Sequence, residues 1–364
     1  MPVERVHDTW HPESVVVSLL LAYMGAYSTV SLAEQYRISA QLKTKVVPHW
    51  LYLVLMSISM GGGAMWCMHF VGLAGHTLHD EQDVELHVKF DIIESVLSLV
   101  TCIVFVYVGL YISSGDKMFS RDREEIFQLI MAEAKNDSLE AIRSKRYLIK
   151  VALFRDLAPL LCGGTITGGG FCIMHYVGMM AIHADVNIHW HEGAIIASVI
   201  IAVLAATSSF WILFRLLALY PGLESLRVLS SFLSAMAMAG MHYVGMLAAT
   251  YTVDHTPPDP VFGYLVNQHK ADIIVTAAAV LNTLLVSMIV QADLRHWHVY
   301  LHARLKASRK VLAQAGERYP NDSLLLDFDS KDKRLTSNHE TTMAKSTDDV
   351  GRSQMSVPSI HNND

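Results

Sequence analysis

The sequence has few charged residues and few cysteines for its length. Only 17% of its 364 residues are Asp, Glu, Lys or Arg, below the quarter that is typical of soluble domains. The four cysteines lie inside apolar runs, so a disulfide framework is not indicated. The net charge of −6 gives no support to nucleic-acid binding. Together with a hydrophobic content of 52%, these shortages exclude whole-chain disorder and indicate a membrane protein.

Seven apolar runs are long enough to cross a bilayer, which takes about 20 mostly apolar residues. They cover residues 14–33, 49–74, 92–113, 157–182, 193–220, 226–250 and 271–292. The first run is too long for a cleaved signal peptide and is preceded by only one arginine, so we interpret it as the first helix. The sequence therefore predicts an all-α membrane protein with seven transmembrane helices, embedded in the lipid bilayer.

Lys and Arg are concentrated in alternate loops. Residues 114–156 carry nine of them, whereas residues 183–192 carry none and residues 75–91 and 251–270 carry one each. The positive-inside rule then places the N-terminus outside and the C-terminus in the cytosol. We expect a multi-pass protein of the plasma membrane.

Two stretches of the chain are expected on the cytosolic side. Residues 114–151 resemble one or two amphipathic helices with helix starts at Asp122 and Asp137. Residues 295–364 are predicted to form a basic helix, over 295–318, and a disordered tail rich in Ser, Thr, Asp and Asn. We therefore divide the chain into a membrane domain, residues 1–294, and a cytosolic C-terminal part.

A six-residue motif, M-H-[FY]-V-G-[LM], occurs three times, beginning at Met68, Met174 and Met241. Each copy lies at the end of an even-numbered helix, so all three reach the same depth near the outer surface. The repeated unit is a helix pair, over residues 14–76, 92–183 and 193–250, with the seventh helix at 271–292 outside the repeat. Parallel repeats imply a symmetry axis along the membrane normal, and the small residues before each motif favour close helix packing.

The motif supplies imidazole and thioether groups without carboxylates. Imidazole suits several transition metals and thioether selects Cu(I), so copper is the first hypothesis. Residues four apart share a helix face, and this places Met179 and His183 on a stripe with His175. The candidate ligands are His69, His175, His242, Met68, Met174, Met241, Met179, Met246, His76 and His183. Thirteen of the 19 histidines lie in the motifs or in the predicted outer segments, which supports a metal site on that side.

Several functions are disfavoured by what the helices lack. The middle of each helix is free of Asp, Glu, Lys and Arg, whereas ion-coupled pumps normally need such a charge. The seventh helix has no lysine for a retinal Schiff base, and no familiar enzymatic motif is present. We therefore expect a protein that is not an enzyme. Three alternatives stay open: a haem-binding electron-transfer protein, a transporter of copper or a small molecule, and a structural scaffold.

The three motifs on alternate helices of a seven-span protein resemble the MHYT domain family. That resemblance covers about residues 13–294 and implies an integral membrane sensor that holds copper near the outer face. It further implies a diatomic gas ligand, such as oxygen, CO or NO, and an unknown cytosolic signalling partner. The fourth motif position is Val71, Val177 and Val244 here instead of Thr. The loop at 114–151 and the Ser/Thr-rich tail are similar to the stand-alone fungal members of the family.

Overall fold

Within the part of the chain that the structure describes, seven helices are long and apolar enough to cross a membrane. The computed structural model describes residues 6–42, 48–119, 121, 123–133, 145–184, 186–220, 223–253 and 264–291. The spans are Pro12–Ser39, His49–Ala74, Ile92–Ser114, Ala158–Met180, Glu192–Leu219, Glu224–Met246 and Gln268–Gln291. The predicted all-α, seven-span architecture is confirmed, and the chain is a multi-pass membrane protein. The largest difference is in the first helix, which continues beyond the predicted residue 33 to Leu42.

The first six spans form a closed ring. Each packs against its neighbours in the sequence, and the sixth packs against the first. The second and fourth spans are the most buried of the ring and the third and fifth are the least. The seventh span is the least buried of all; Asn282 on it faces Gly63, and Gln268 donates to the carbonyl of Ala74 at 2.6 Å. The ring therefore consists of three consecutive helix pairs, and the seventh helix is added to it.

Small residues allow neighbouring spans to approach closely. A Cβ added to Gly163 would lie 2.4 Å from the carbonyl oxygen of Gly109, and one added to Gly168 would lie 2.7 Å from the Cα of Val203. At Gly61 the nearest atoms belong to the backbone of the third span, at 3.2 Å. The predicted packing role of the small residues before the motifs is confirmed at Gly61 and Gly168, and Gly163 has the same role. Gly240, by contrast, has nothing within 4 Å of an added Cβ.

Two spans are not α-helical throughout. The second comprises an α-helix at His49–Ser57, a π-helical stretch at Ile58–Trp66 and an α-helix at Cys67–Ala74. The fifth changes from an α-helix at Glu192–Trp211 to a π-helical stretch at Ile212–Leu216 and a last turn at Leu217–Leu219. The second span's π-helical stretch lies directly before its motif, and π-helical segments are frequent at functional sites.

Short strands cover the end of the ring where the motifs lie, which we name the motif end. They are β1 (His7–Trp10), β2 (His76–His79), β3 (Glu85–Leu86), β4 (Lys89–Asp91), β5 (Ile182–His183), β6 (Val186–Trp190), β7 (Ala249–Val253) and β8 (Leu265–Asn267). They form three small sheets, ordered β1-β2-β3, β5-β4-β8 and β6-β7. The sequence analysis did not predict these strands. One consequence is that the sixth span stops at Met246, because residues 249–253 pair with β6.

A buried ion pair ties together the opposite end, which we name the far end. Arg215, in the π-helical stretch of the fifth span, donates to both carboxylate oxygens of Asp116 at 2.6 and 3.0 Å and to the carbonyl of Ala152 at 2.6 Å. Both charged side chains are buried. The sequence pattern does not predict this pair, because Arg215 and Asp116 are 99 positions apart.

Within the described residues of the far end, two short helices lie between the third and fourth spans, at Arg123–Glu133 and Lys145–Phe154. The helix start predicted at Asp137 lies outside the described residues. So do the predicted basic helix over 295–318 and the tail that follows it. The chain divides into two units, Met1–Asp293 and Leu294–Asp364, and the second unit is likewise not described.

Candidate metal centre

The three motif histidines meet on the axis of the ring. The Nδ1 atom of His69 lies 3.1 Å from that of His242 and 3.2 Å from that of His175, and the last two are 3.3 Å apart. All three side chains are fully buried. They form a triangle of nearly equal sides because each histidine occupies the same depth in a pseudo-equivalent helix.

Each imidazole fits into a space left by a motif glycine of another helix. A Cβ on Gly178 would lie 2.4 Å from Nε2 of His69, and a Cβ on Gly245 would lie 2.4 Å from Nε2 of His175. The third contact closes the cycle, since a Cβ on Gly72 would lie 2.7 Å from Nε2 of His242. The motif therefore carries both a histidine and the space for a neighbour's histidine. This role was not predicted, although the repeated glycine three residues after each histidine could have indicated it.

The aromatic residue after each histidine holds the imidazole from the side. The ring centroids of the two neighbours are 4.7–5.0 Å apart in all three motifs, in edge-to-face geometry. Tyr243 shares a hydrogen bond of 2.8 Å with Ser18, and Tyr176 shares one of 2.7 Å with Ser198. These contacts link each tyrosine to an odd-numbered span.

The first repeat replaces the tyrosine hydroxyl with an indole. Phe70 has no hydroxyl, and Trp66 instead donates its Nε1–H to Ser98 at 3.0 Å. Ser18, Ser98 and Ser198 are all fully buried, and each also donates to the carbonyl three residues before it. The serines thus form a second three-fold set, which the sequence analysis did not identify.

Hydrogen bonding alone cannot satisfy three converging Nδ1 atoms. A ring nitrogen either carries a hydrogen and donates or carries a lone pair and accepts. Donors and acceptors cannot alternate around three atoms, so at least one pair must be alike. A cation at the centre removes the conflict, because all three nitrogens can then present lone pairs.

The triangle has a suitable size for a metal ion. Sides of 3.1–3.3 Å place the centre about 1.8 Å from each Nδ1, slightly less than the 2.0–2.1 Å of metal–imidazole bonds. A small displacement from the plane brings all three bonds into the normal range. The Nε2 atoms are buried and, within the described residues, make no hydrogen bond of good geometry. Three imidazoles without a carboxylate suit copper, zinc, iron or nickel.

The predicted methionine ligands lie in the apolar core around this centre. Met68, Met174 and Met241 are fully buried in the cluster that fills the ring toward the far end, whereas Met179 and Met246 belong to the cluster beneath the strands. A residue next to a histidine on a helix points about 100° away from it. The five methionines therefore remain predicted ligands, separate from the three-histidine triangle.

The placement of His183 on a helical stripe with His175 is wrong, and His76 also lies beyond the end of its helix. The second span ends at Ala74 and the fourth at Met180, so these histidines lie in β2 and β5. His76 is buried and contacts Asp8 at 3.1 Å, while His183 pairs with Lys89 in the strand register. Neither belongs to the convergent group formed by the three motif histidines. Their assignment as ligands stays a prediction.

Comparison with known proteins agrees with the repeated motif. The family model described as MHYT, a bacterial signalling protein N-terminal repeat, matches residues 62–123 and 168–222, which contain the first two motifs. The chain is 27% identical over 262 residues to the signaling protein YkoW of Bacillus subtilis, covering 70% of this chain and 26% of that protein.

Two relatives from Pseudomonas aeruginosa also match. The bifunctional diguanylate cyclase/cyclic di-GMP phosphodiesterase MucR is 24% identical, over 65% of this chain and 27% of its own length. The cyclic di-GMP phosphodiesterase NbdA is 22% identical, over 69% of this chain and 26% of its own length. The chain thus spans about a quarter of each relative. No solved structure matches it. From the repeated motif, the seven spans and these matches, the chain carries the MHYT repeat of signalling proteins over residues 62–123 and 168–222.

Proposed function

We propose that the chain is a membrane sensor in which His69, His175 and His242 bind a copper ion. The observation that carries the proposal is the convergence of three buried Nδ1 atoms within 3.3 Å of one another. Three neutral imidazoles in an apolar surrounding favour a soft or borderline cation, and the family's motif is built from the same residue types. Copper is the metal that imidazole and nearby thioether groups select together.

The motif end would face the outside of the cell. The Lys and Arg residues of the sequence are concentrated in the segments of the far end, and positive segments remain in the cytosol. This orientation places the N-terminus outside, the C-terminus in the cytosol and the three-histidine centre near the outer leaflet. The plasma membrane is the proposed location.

The proposed stimulus is a diatomic gas such as oxygen, CO or NO. If bound there, a copper(I) ion would be held by His69, His175 and His242 and would supply the affinity for such a molecule. The chain's part is to hold the imidazoles rigidly, through the glycine spaces and the aromatic neighbours, in a site closed to bulk water. A change at the histidines would shift the even-numbered spans against the odd-numbered ones, since Tyr176 and Tyr243 bond across that boundary.

The response would be read at the far end. Arg215 connects the fifth span to Asp116 and to the helix at Lys145–Phe154. Movement of the ring would therefore displace this segment, where a cytosolic signalling partner would bind. The printed names of the relatives describe signalling and cyclic di-GMP turnover, and those activities belong to proteins about four times longer than the matched region.

The haem alternative is less well supported by the geometry. Axial ligation of a haem requires two ligand atoms on opposite faces of a flat macrocycle. The three Nδ1 atoms are 3.1–3.3 Å apart and leave no space for a macrocycle between them. A transporter is also a weaker hypothesis, because the centre is closely packed and fully buried.

Carbon monoxide provides the test of the sensing function. We expect the purified protein loaded with Cu(I) to show a new C–O stretching band in the infrared when CO is added. The band should be absent in His175→Ala and retained in the control His189→Ala, which changes an exposed histidine of β6. Copper binding without a CO band would contradict the gas ligand while leaving the copper site intact. The absence of copper binding in the wild type would contradict both.

A further inference from the structure

His76 differs from the other described histidines of the motif-end strands in being buried. It lies in β2, and its Nε2 is 3.1 Å from Oδ2 of Asp8 in β1. The side chain of Asp8 is 55% exposed, against 5% for His76. One oxygen–nitrogen contact therefore connects the surface of the motif end with its interior.

An unpartnered hydroxyl lies beside this pair. The ring of Tyr251, in β7, is 5.6 Å from that of His76, measured between centroids. The Tyr251 hydroxyl is buried and has no hydrogen-bond partner among the described residues. Burial and, to a smaller extent, the nearby Asp8 carboxylate raise the pKa of Tyr251. A carboxylate, an imidazole and a phenol thus surround one small region.

This region lies above the three-histidine centre. Trp10 contacts His76 at 4.7 Å and Tyr243 at 5.7 Å between ring centroids. Tyr243 in turn contacts His242 at 4.7 Å, so two rings separate His76 from the centre. The cluster therefore lies between the exposed surface of the motif end and the buried centre.

We propose that Asp8, His76 and Tyr251 form a transit site that passes a transition-metal cation from solvent to the three-histidine centre. This inference rests on the proposed function, because it requires the centre to bind a metal. Oxygen ligands with a single imidazole bind copper less tightly than three imidazoles do. The cation is therefore held briefly at the cluster, and the cluster determines the rate of loading and not the final affinity.

The cluster residues in β1 and β2 also have a structural role. The experiment must distinguish that role from passage of the metal cation. Trp10 and His76 are opposite each other in the pairing of β1 with β2, so their substitution could loosen the strands. Thr9 and Thr77 are the next pair in that register, and their hydroxyls are 2.7 Å apart. Because successive side chains of a strand alternate between its two faces, Thr9→Val weakens the pairing without altering the cluster.

The test is the time course of copper uptake by the purified full chain. Cu(I) is supplied from a coloured Cu(I)–chelator complex, and loss of the colour is followed. We expect Asp8→Asn, His76→Gln and Tyr251→Phe each to load about tenfold more slowly or worse, and to reach the same final copper content as the wild type. Thr9→Val should load at the wild-type rate.

Three outcomes overturn the inference. Loading of the three variants at the wild-type rate would show that the cluster lies off the route. Equal slowing in Thr9→Val would assign the effect to strand pairing. A lower final copper content in the variants would make the cluster part of the equilibrium site. If the wild type takes up no copper, the proposed function itself fails, which these results distinguish from failure of the transit site alone.

Discussion

Replacement of Gly178 by alanine should abolish metal binding, although Gly178 is not itself a proposed ligand. The added Cβ would lie 2.4 Å from Nε2 of His69, whereas ordinary contacts begin at 3.4 Å. The imidazole must therefore retreat by about 1 Å, which is half the length of a metal–imidazole bond of about 2.0 Å. Overpacking of this kind costs about 1–3 kcal/mol, so we expect a folded protein with a moderately lower unfolding temperature.

The assay is a Cu(I) competition titration with a chelator, paired with thermal unfolding of each variant. Gly245→Ala should lose copper as Gly178→Ala does, and Gly72→Ala should retain more, because its Cβ would lie 2.7 Å from Nε2 instead of 2.4 Å. Gly240→Ala is the matched control. It has nothing within 4 Å of the new Cβ, and alanine is favoured over glycine in a helix by about 1 kcal/mol. Wild-type copper affinity in Gly178→Ala would refute the reasoning.

Three further predictions concern the surroundings of the centre. Asp116→Ala leaves Arg215 buried without its ion partner and should cost about 3–5 kcal/mol in thermal unfolding; an unchanged midpoint would contradict this, and adding Arg215→Met should recover most of the loss. Tyr176→Phe removes the hydrogen bond to Ser198 and should lower the free energy of unfolding by about 1 kcal/mol; an unchanged free energy of unfolding would contradict this. Burial lowers the pKa of His76 from 6.5 more than Asp8 raises it, so the stability that it contributes is full above pH 6.5 and lost as the pH falls. Hydrogen-exchange protection of β1 and β2 should therefore decrease on acidification, and pH-independent protection would count against this assignment.

The membrane architecture was predictable because long apolar runs have few alternatives in a bilayer. Helices must satisfy their own backbone groups there, so the run at residues 49–74 could be assigned from length alone. The triple motif added the repeat, and equal depth on parallel helices was enough to expect its histidines near one axis. The ring of six spans is consistent with the same repeat of parallel helix pairs.

The contacts that shape the site were not predictable in the same way. Gly178 stood out as part of the motif, yet only the helix crossing shows that it makes room for His69. Helix ends were also misjudged, because apolar content continues into the strands: residues 249–250 belong to β7 and not to the sixth span. Pairing between distant segments, such as β1 with β2, leaves no periodic signal in runs of four residues.

Buried polar pairs were missed for a related reason. Ser18 and Tyr243 are separated by 225 positions, and a serine in an apolar run is common enough to pass unnoticed. Arg215 was visible as a charge near a helix end, but its partner Asp116 lies 99 positions away. The partners of such groups are set by how the helices pack, which the sequence pattern of one helix does not specify.

Copper binding by the three motif histidines can be measured as the copper content of the purified full chain. Elemental analysis after removal of loosely bound metal should find a single copper ion per wild-type chain. It should find almost none in His69→Ala, His175→Ala or His242→Ala, and the wild-type amount in the control His189→Ala. Equal copper in the wild type and the three variants, or none in the wild type after exposure to Cu(I), would contradict the account.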